Sequence, residues 1–154
     1  MKAELLPDII NRYTAASFTI TRRVTALMRD NMPEGITQDQ FAILQSIKGR
    51  PDRSTTSTEL ASVFCVGKSS ITAIVARLEA KALLRRQEDP KDRRVTRLIL
   101  TEEGERIVTE TTQIIEGILA TFLAEFDDEE GQRFIEPFEK LARLMKEADE
   151  GRES

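Results

Sequence analysis

Nine of the chain's 23 lysines and arginines fall between residues 68 and 97: Lys68, Arg77, Lys81, Arg85, Arg86, Lys91, Arg93, Arg94 and Arg97, set against only Glu79, Glu88, Asp89 and Asp92. This block carries +5 in a chain whose formal charge is −4 and whose residues 98–154 carry −10. Guanidinium and ammonium groups gathered this way bind phosphate, and an acidic remainder keeps the attraction on one face. The competing reading of the same charges is a solvated basic face on an ordinary helix pair. Other chemistries are poorly provided for. With no His and a single Cys, Cys65, the chain builds neither a Ser-His-Asp or Cys-His nucleophile pair nor a Cys/His zinc site. It has no Gly-rich phosphate loop and no convincing carboxylate pair, so the expectation is a protein that is not an enzyme and carries no cofactor or metal. Metal sensing would have to use carboxylates alone. One cysteine excludes an intrachain disulfide framework and suits a reducing compartment. No run approaches the roughly 18 apolar residues of a membrane span, and the opening MKAELLPDII lacks the order of a signal peptide, so a soluble cytoplasmic protein is expected.

The elements that must position the basic block follow from apolar spacing. Leu6, Ile9, Tyr13, Ala16, Ile20, Val24 and Leu27 draw one stripe along a long first helix, which Pro33 and Gly35 end. Thr37 and Gln40 form a capping box for a second helix buried through Phe41, Leu44 and Ile47. Gly49, Pro51 and the Ser/Thr cluster at 54–58 predict a loop, and Thr56 with Glu59 caps a short helix carrying Leu60, Val63 and Phe64. After a break at Cys65, Val66 and Gly67, the positions Ile71, Ile74, Val75 and Leu78 bury one helix face and leave Lys68, Ser69, Thr72, Ala76 and Arg77 on the other. Two short helices across a tight turn predict a helix-turn-helix over about 56–79, whose second helix can enter a major groove. Leu83 to Gln87 and Val95 to Leu100, around a polar turn at 88–92 that holds Pro90, predict a β-hairpin over about 83–100, the position of a wing. Thr101 caps a long helix whose Ile107, Ile114, Ile115, Ile118, Leu119, Phe122, Leu123 and Phe126 cover more than one face. A chain this short can hardly enclose such a helix, so packing on a second subunit is expected. A last helix carries Phe134, Phe138, Leu141 and Met145, and fraying is expected from about Asp149. The fold class is mainly α with a small β wing.

Five stretches, Ser57-Thr-Glu-Leu-Ala, Gly67-Lys-Ser-Ser-Ile-Thr, Ala76-Arg-Leu-Glu79, Asp89-Pro-Lys-Asp-Arg-Arg94 and Leu100-Thr-Glu-Glu-Gly104, lie in an order and spacing that resembles the MarR family of winged helix-turn-helix transcriptional regulators. The resemblance covers nearly the whole chain, and the wing signature followed by Leu-Thr-x-x-Gly is fairly specific. It implies a single unit over 1–154, with a DNA-binding lobe at 37–100 flanked by dimerisation helices at 1–30 and 101–148. The implied partners are a second copy, a pseudo-palindromic double-stranded DNA operator and a small-molecule effector, with no membrane; the implied activity is repression released by that ligand. Lys68 and the N–H groups at the start of the recognition helix suit a phosphate. Ser69, Ser70 and Thr72 are short donors for base edges or phosphates, and Arg77 extends from the same face. Ser54, Thr55 and Thr56 precede the first helix of the motif, where hydroxyls often meet phosphates. At the wing tip, with Lys91 and Arg93, the resemblance implies that Asp92 holds Arg94 extended into a narrow minor groove. A surface ion pair is the alternative reading of those two residues.

Two positions depart from the family. Ala73 stands where an Arg is frequent, which leaves the operator sequence open. Cys65 stands where Gly is usual in the turn, at a position that calls for positive φ unless the turn is shifted. A redox-responsive repressor sensing through Cys65 is one alternative; a small buried hydrophobe is the plainer reading of that residue. A winged-helix module that binds protein is another alternative. The family's effector pocket lies between the dimer helices and the DNA lobe. Tyr13, Phe18, Arg22 and Phe41 are candidates to line it and equally candidates for core, so no ligand residue is assigned.

Overall fold

The computed structural model describes residues 2–150, with side chains through residue 148. The chain forms two compact units, Met1–Ile115 and Glu116–Ser154, with the boundary inside its fifth helix. In the first unit a 3-10 turn, Ala3–Leu5, leads into α1 (Leu6–Asn31), and Gly35 at φ 77 turns the chain toward α2 (Gln38–Lys48). The capping box of Thr37 and Gln40 opens α2 and that of Thr56 and Glu59 opens α3 (Ser57–Val63), each with both reciprocal bonds in place. The helix α4 (Lys68–Ala80) starts after Gly67 and is followed by the hairpin of β2 (Leu84–Glu88) and β3 (Thr96–Leu100), then by α5 (Glu102–Leu123).

The hairpin is antiparallel, with Leu84 opposite Leu100 and Glu88 opposite Thr96. The side chains alternate along β3, where Leu98 and Leu100 face the core, with Leu84 of β2 beside them, while Arg97 and Ile99 face the other way. A third strand, β1 (Ser54–Thr55), pairs with Ile99 and Leu98 and gives the sheet order β1-β3-β2. It corrects the loop expected there. Two residues are too few to show a strand's period, and this pair forms only because Leu98 and Ile99 present an open edge.

The core gathers Phe41, Leu44 and Ile47 of α2, Leu60 of α3, Ile71, Val75 and Leu78 of α4, the three sheet leucines and Val108 of α5. Val63, grouped with Leu60 from the sequence, lies instead on the surface at 59 % exposure. In the second unit α6 (Asp128–Glu150) begins at a capping box in which Asp127 accepts from Glu130 N (2.8 Å) and Glu130 accepts from Asp127 N (3.1 Å). Phe126 therefore lies in the connection and not in α5, and it packs near Phe134, which stacks on Phe138. The helix α6 continues to Glu150, and the rest of the expected frayed tail, 151–154, lies outside the described residues. Among the described residues no single helix is long and apolar enough to cross a membrane.

The seam between the wing and α5 explains the Leu-Thr-x-x-Gly junction. Thr101 donates from its N–H to Leu83 O (3.1 Å) and from Oγ1 to Ala82 O (2.7 Å), while Oγ1 accepts from Gly104 N (3.1 Å). A Cβ on residue 104 would stand 2.0 Å from Leu83 O, a backbone atom that cannot swing aside. In an open helix Gly→Ala gains about 1 kcal/mol; here the overlap reverses the sign. Gly104→Ala is expected to destabilise by about 2 kcal/mol or more and to lower the melting temperature by roughly 5–10 °C, read by thermal unfolding.

The turn between α3 and α4 holds Cys65 at φ 52, so the turn geometry is kept and the side chain carries the strain. Left-handed backbone costs an L-residue about 1–2 kcal/mol, partly offset in a glycine by its larger entropy loss of about 0.5–1 kcal/mol. Cys65→Gly is therefore expected to stabilise by up to about 1 kcal/mol, and Cys65→Val to destabilise; chemical denaturation of the two variants reads both signs.

Candidate nucleic-acid interface

The outward face of α4 carries Lys68, Ser69, Ser70, Thr72 and Arg77, all exposed, opposite the buried Ile71, Val75 and Leu78. No side chain caps the start of this helix, which leaves its first N–H groups to solvent or to an anion. Thr72 donates its hydroxyl proton to Lys68 O (2.9 Å), so it presents a methyl group and an acceptor outward, and Ser69 and Ser70 supply the short donors. The cysteine at the turn is exposed, which corrects the buried-hydrophobe reading; its left-handed backbone turns the side chain away from the core.

The wing turn is shaped by two aspartates. Asp89, only 7 % exposed, accepts from Lys91 N (2.7 Å) and Asp92 N (3.2 Å) through Oδ1, and its own N–H donates to Val95 O (2.9 Å). Asp92 accepts three bonds from Arg94: from the backbone N (3.0 Å) and Nε (3.1 Å) on Oδ1, and from Nη2 (3.1 Å) on Oδ2. The Arg94 side chain is nonetheless 91 % exposed, so the fork is aimed and still open to a partner. Its hydrogen bonds to Asp92 hold that carboxyl below the usual carboxylate range. Lys91 and Arg93 are exposed beside it. In the middle of β2, Arg86 Nε donates to Glu79 Oε1 (2.9 Å) and clasps the wing to α4.

Ser54 and Thr55 are placed differently from the expectation of phosphate contact. Both are buried, because β1 inserts them beside β3. Ser54 Oγ donates to Asp52 Oδ2 (2.9 Å) and accepts from Arg97 Nη1 (2.7 Å), and Thr55 Oγ1 donates to Glu59 Oε2 (2.9 Å). Their hydroxyls serve the lobe's interior. Thr56 is half-buried, and its hydroxyl oxygen accepts from Glu59 N (3.2 Å) at the start of α3. Of the four residues considered for an effector pocket, Phe41 is fully buried core, while Tyr13 and Phe18 are exposed on α1 and the Arg22 guanidinium lies 5.8 Å from the Phe18 ring centre.

Sequence reading missed Asp52, Asp89 and Arg97 as site-building residues. Arg97 donates from Nε to Asp89 Oδ2 (2.5 Å) and from Nη1 to Asp52 Oδ2 (2.9 Å) as well as to Ser54. The only signals were the Asp-Pro start of the turn and the phase of Arg97 with Ile99; Asp52 gave none, since its role depends on β1. The Arg97 bond, helped by the Lys91 N–H, lowers the Asp89 carboxyl from its ordinary 3.8 to about 2. A carboxylate whose pKa is lower when folded binds fewer protons than in the unfolded chain, so its stabilisation is present above the unfolded value and lost as pH falls through the folded one. The stability difference between the wild type and Asp89→Asn is expected to be full above about pH 4.5 and to close toward about pH 2, as read by denaturant titrations across that range.

A model of the MarR family matches residues 36–96, which run from the end of the α1–α2 loop to the start of β3. The chain is 32% identical over 130 residues to the HTH-type transcriptional regulator YsmB of Bacillus subtilis, covering 81% of this chain and 88% of that protein. It is 34% identical over 117 residues to the HTH-type transcriptional repressor MdtR of Bacillus subtilis, covering 76% and 74%. Among solved structures, a MarR family protein from Bacillus stearothermophilus superimposes with a TM-score of 0.78 at 28% identity, covering 94% of this chain and 98% of that one. These relatives are transcriptional regulators, not enzymes, and their fold is the winged helix described above. The chain belongs to the MarR family of transcriptional regulators.

Proposed function

We propose that the protein acts as a homodimeric, sequence-specific repressor that places α4 in a major groove and the Arg94 guanidinium in the adjacent minor groove of each half of a pseudo-palindromic operator. The carrying observation is the wing tip, where Asp92 holds one edge of the Arg94 fork, through Nε and Nη2, while 91 % of that side chain stays in solvent. A planar, permanently charged group held extended suits a narrow minor groove with its enhanced negative potential. Lys68, Ser69, Ser70, Thr72 and Arg77 serve the major-groove side, and Lys91 and Arg93 the flanking phosphates. The repressor sign is supported by the name of the MdtR relative.

Dimerisation is supported by helices that bury little of their own apolar surface. No residue of the 26-residue α1 is buried, and Leu6, Ile9, Ile10 and Tyr13 lie 40–54 % exposed. On α6, Phe134, Phe138, Leu144 and Met145 are exposed as well. Apolar faces of this extent mark a surface made for another chain. Release by a small effector is carried over from the family reading, and a cytoplasmic setting from the single cysteine, which suits a reducing compartment.

Arg94→Ala tests the proposal without endangering the fold, because the side chain is on the surface. Binding to the DNA upstream of its own coding region is expected to show a palindromic footprint of two half-sites about one helical turn apart, with log affinity falling steeply in log salt. The variant is expected to bind at least about tenfold more weakly. Weak, sequence-indifferent binding unaffected by Arg94→Ala would instead favour the protein-interaction module.

A further inference from the structure

The wing is least supported where it must be most exact. The strand β1 pairs only with Leu98 and Ile99, so beyond Leu98 the hairpin is two-stranded, and a two-stranded hairpin is marginal in water. Arg97 is the first residue past that support, on the sheet face that also carries Ser54. Its guanidinium crosses a cleft of about 340 Å³ that is lined by Asp52, Ser54, Glu88, Asp89 and Lys91, so the wing is bridged there by a side chain where no packed core lies beneath it.

We propose that Arg97 is a positioning residue for DNA binding, one that fixes the reach of Arg94 by tying the wing turn to the start of the helix-turn-helix. The inference rests on the wing reading above. The connection is continuous. Asp52 accepts from the N–H and hydroxyl of Ser54 at the entry to α3 and from Arg97 Nη1. Arg97 Nε holds one oxygen of Asp89, whose other oxygen holds the N–H groups of Lys91 and Asp92. The Asp92 carboxylate then holds Arg94. Each link is an oriented hydrogen bond, and the guanidinium fork engages Asp89, Asp52 and Ser54 from two nitrogens set at a fixed angle. A lysine at this position keeps the charge but not that geometry. Without the cation, the Asp52 and Asp89 carboxylates face each other across the cleft and repel, which opens the hairpin away from β1.

A double-mutant cycle on the full-length protein tests this, with its own upstream DNA as the probe and thermal unfolding as the control for folding. Arg97→Met is expected to weaken specific binding about tenfold, Arg97→Lys less, and Arg97→Met to cost almost nothing further once Arg94 is already Ala. A merely structural arginine would cost the same in both backgrounds, and that result overturns the inference. Should Arg97→Met fail to fold, Asp52→Asn cuts only the β1 end of the chain of bonds and enters the same cycle with the same expectation. An intact Arg94→Ala effect with a neutral or additive Arg97 overturns the positioning role alone. Absence of any Arg94→Ala effect overturns the wing reading and this inference with it.

Discussion

At Gly104 the first turn of α5 lies so close to Leu83 that only a hydrogen fits between helix and carbonyl. Around that contact four parts of the lobe are tied together within a few residues. Thr101 binds Ala82 and Leu83 at the base of the wing, and Ala82 itself adopts φ 55 so that the chain leaves α4 and enters β2 at once. One residue earlier, Lys81 Nζ donates to Gln40 Oε1 (2.8 Å) and to Gly35 O, drawing in the α1–α2 loop. The end of α4, the root of the wing and the start of α5 therefore share one small, close-packed node. Such nodes do not deform gradually. Where α4 goes, the wing base goes with it.

Beyond the node the wing depends on charge. Three of the four carboxylates in the basic block are engaged by arginines: Glu79 by Arg86, Asp89 by Arg97 and Asp92 by Arg94. The exposed Arg94–Asp92 pair contributes little to stability, so its value lies in orientation, whereas the Arg97–Asp89 pair, with its carboxylate largely buried, stabilises the turn as well. Each acid takes one edge of a guanidinium and fixes where its remaining edge points. A block with more acid would cancel its own attraction for phosphate; with less, its arginines would sample many rotamers and lose entropy on binding. The net of +5 is what remains after the aiming is done.

Local signals were legible. The boxes of Thr37 with Gln40 and Thr56 with Glu59 and the stripe of Ile71, Val75 and Leu78 follow from bonds or spacings within four residues, while the positive φ at Cys65 was one of two outcomes left open by the family's usual glycine. What failed involved partners distant in sequence. Ser54 and Thr55 look like loop hydroxyls until β3, more than forty residues on, offers an edge. Arg97 looks like one more basic residue until Asp52 is brought beside it. The break before α6 was different, since Asp127 and Glu130 form a capping box as readable as the others; the apolar run through Phe126 outweighed it.

The length of α1 bears on how the protein holds together. Apart from its last turns, where Met28 packs partly buried on the core, a 26-residue amphipathic helix with no buried residue gains little from its own chain. Isolated helices are marginal in water, and most helical stability comes from packing an apolar face. Under the dimeric reading that face is covered by the second copy, which makes the order of α1 a property of the assembled pair and ties folding to protomer concentration.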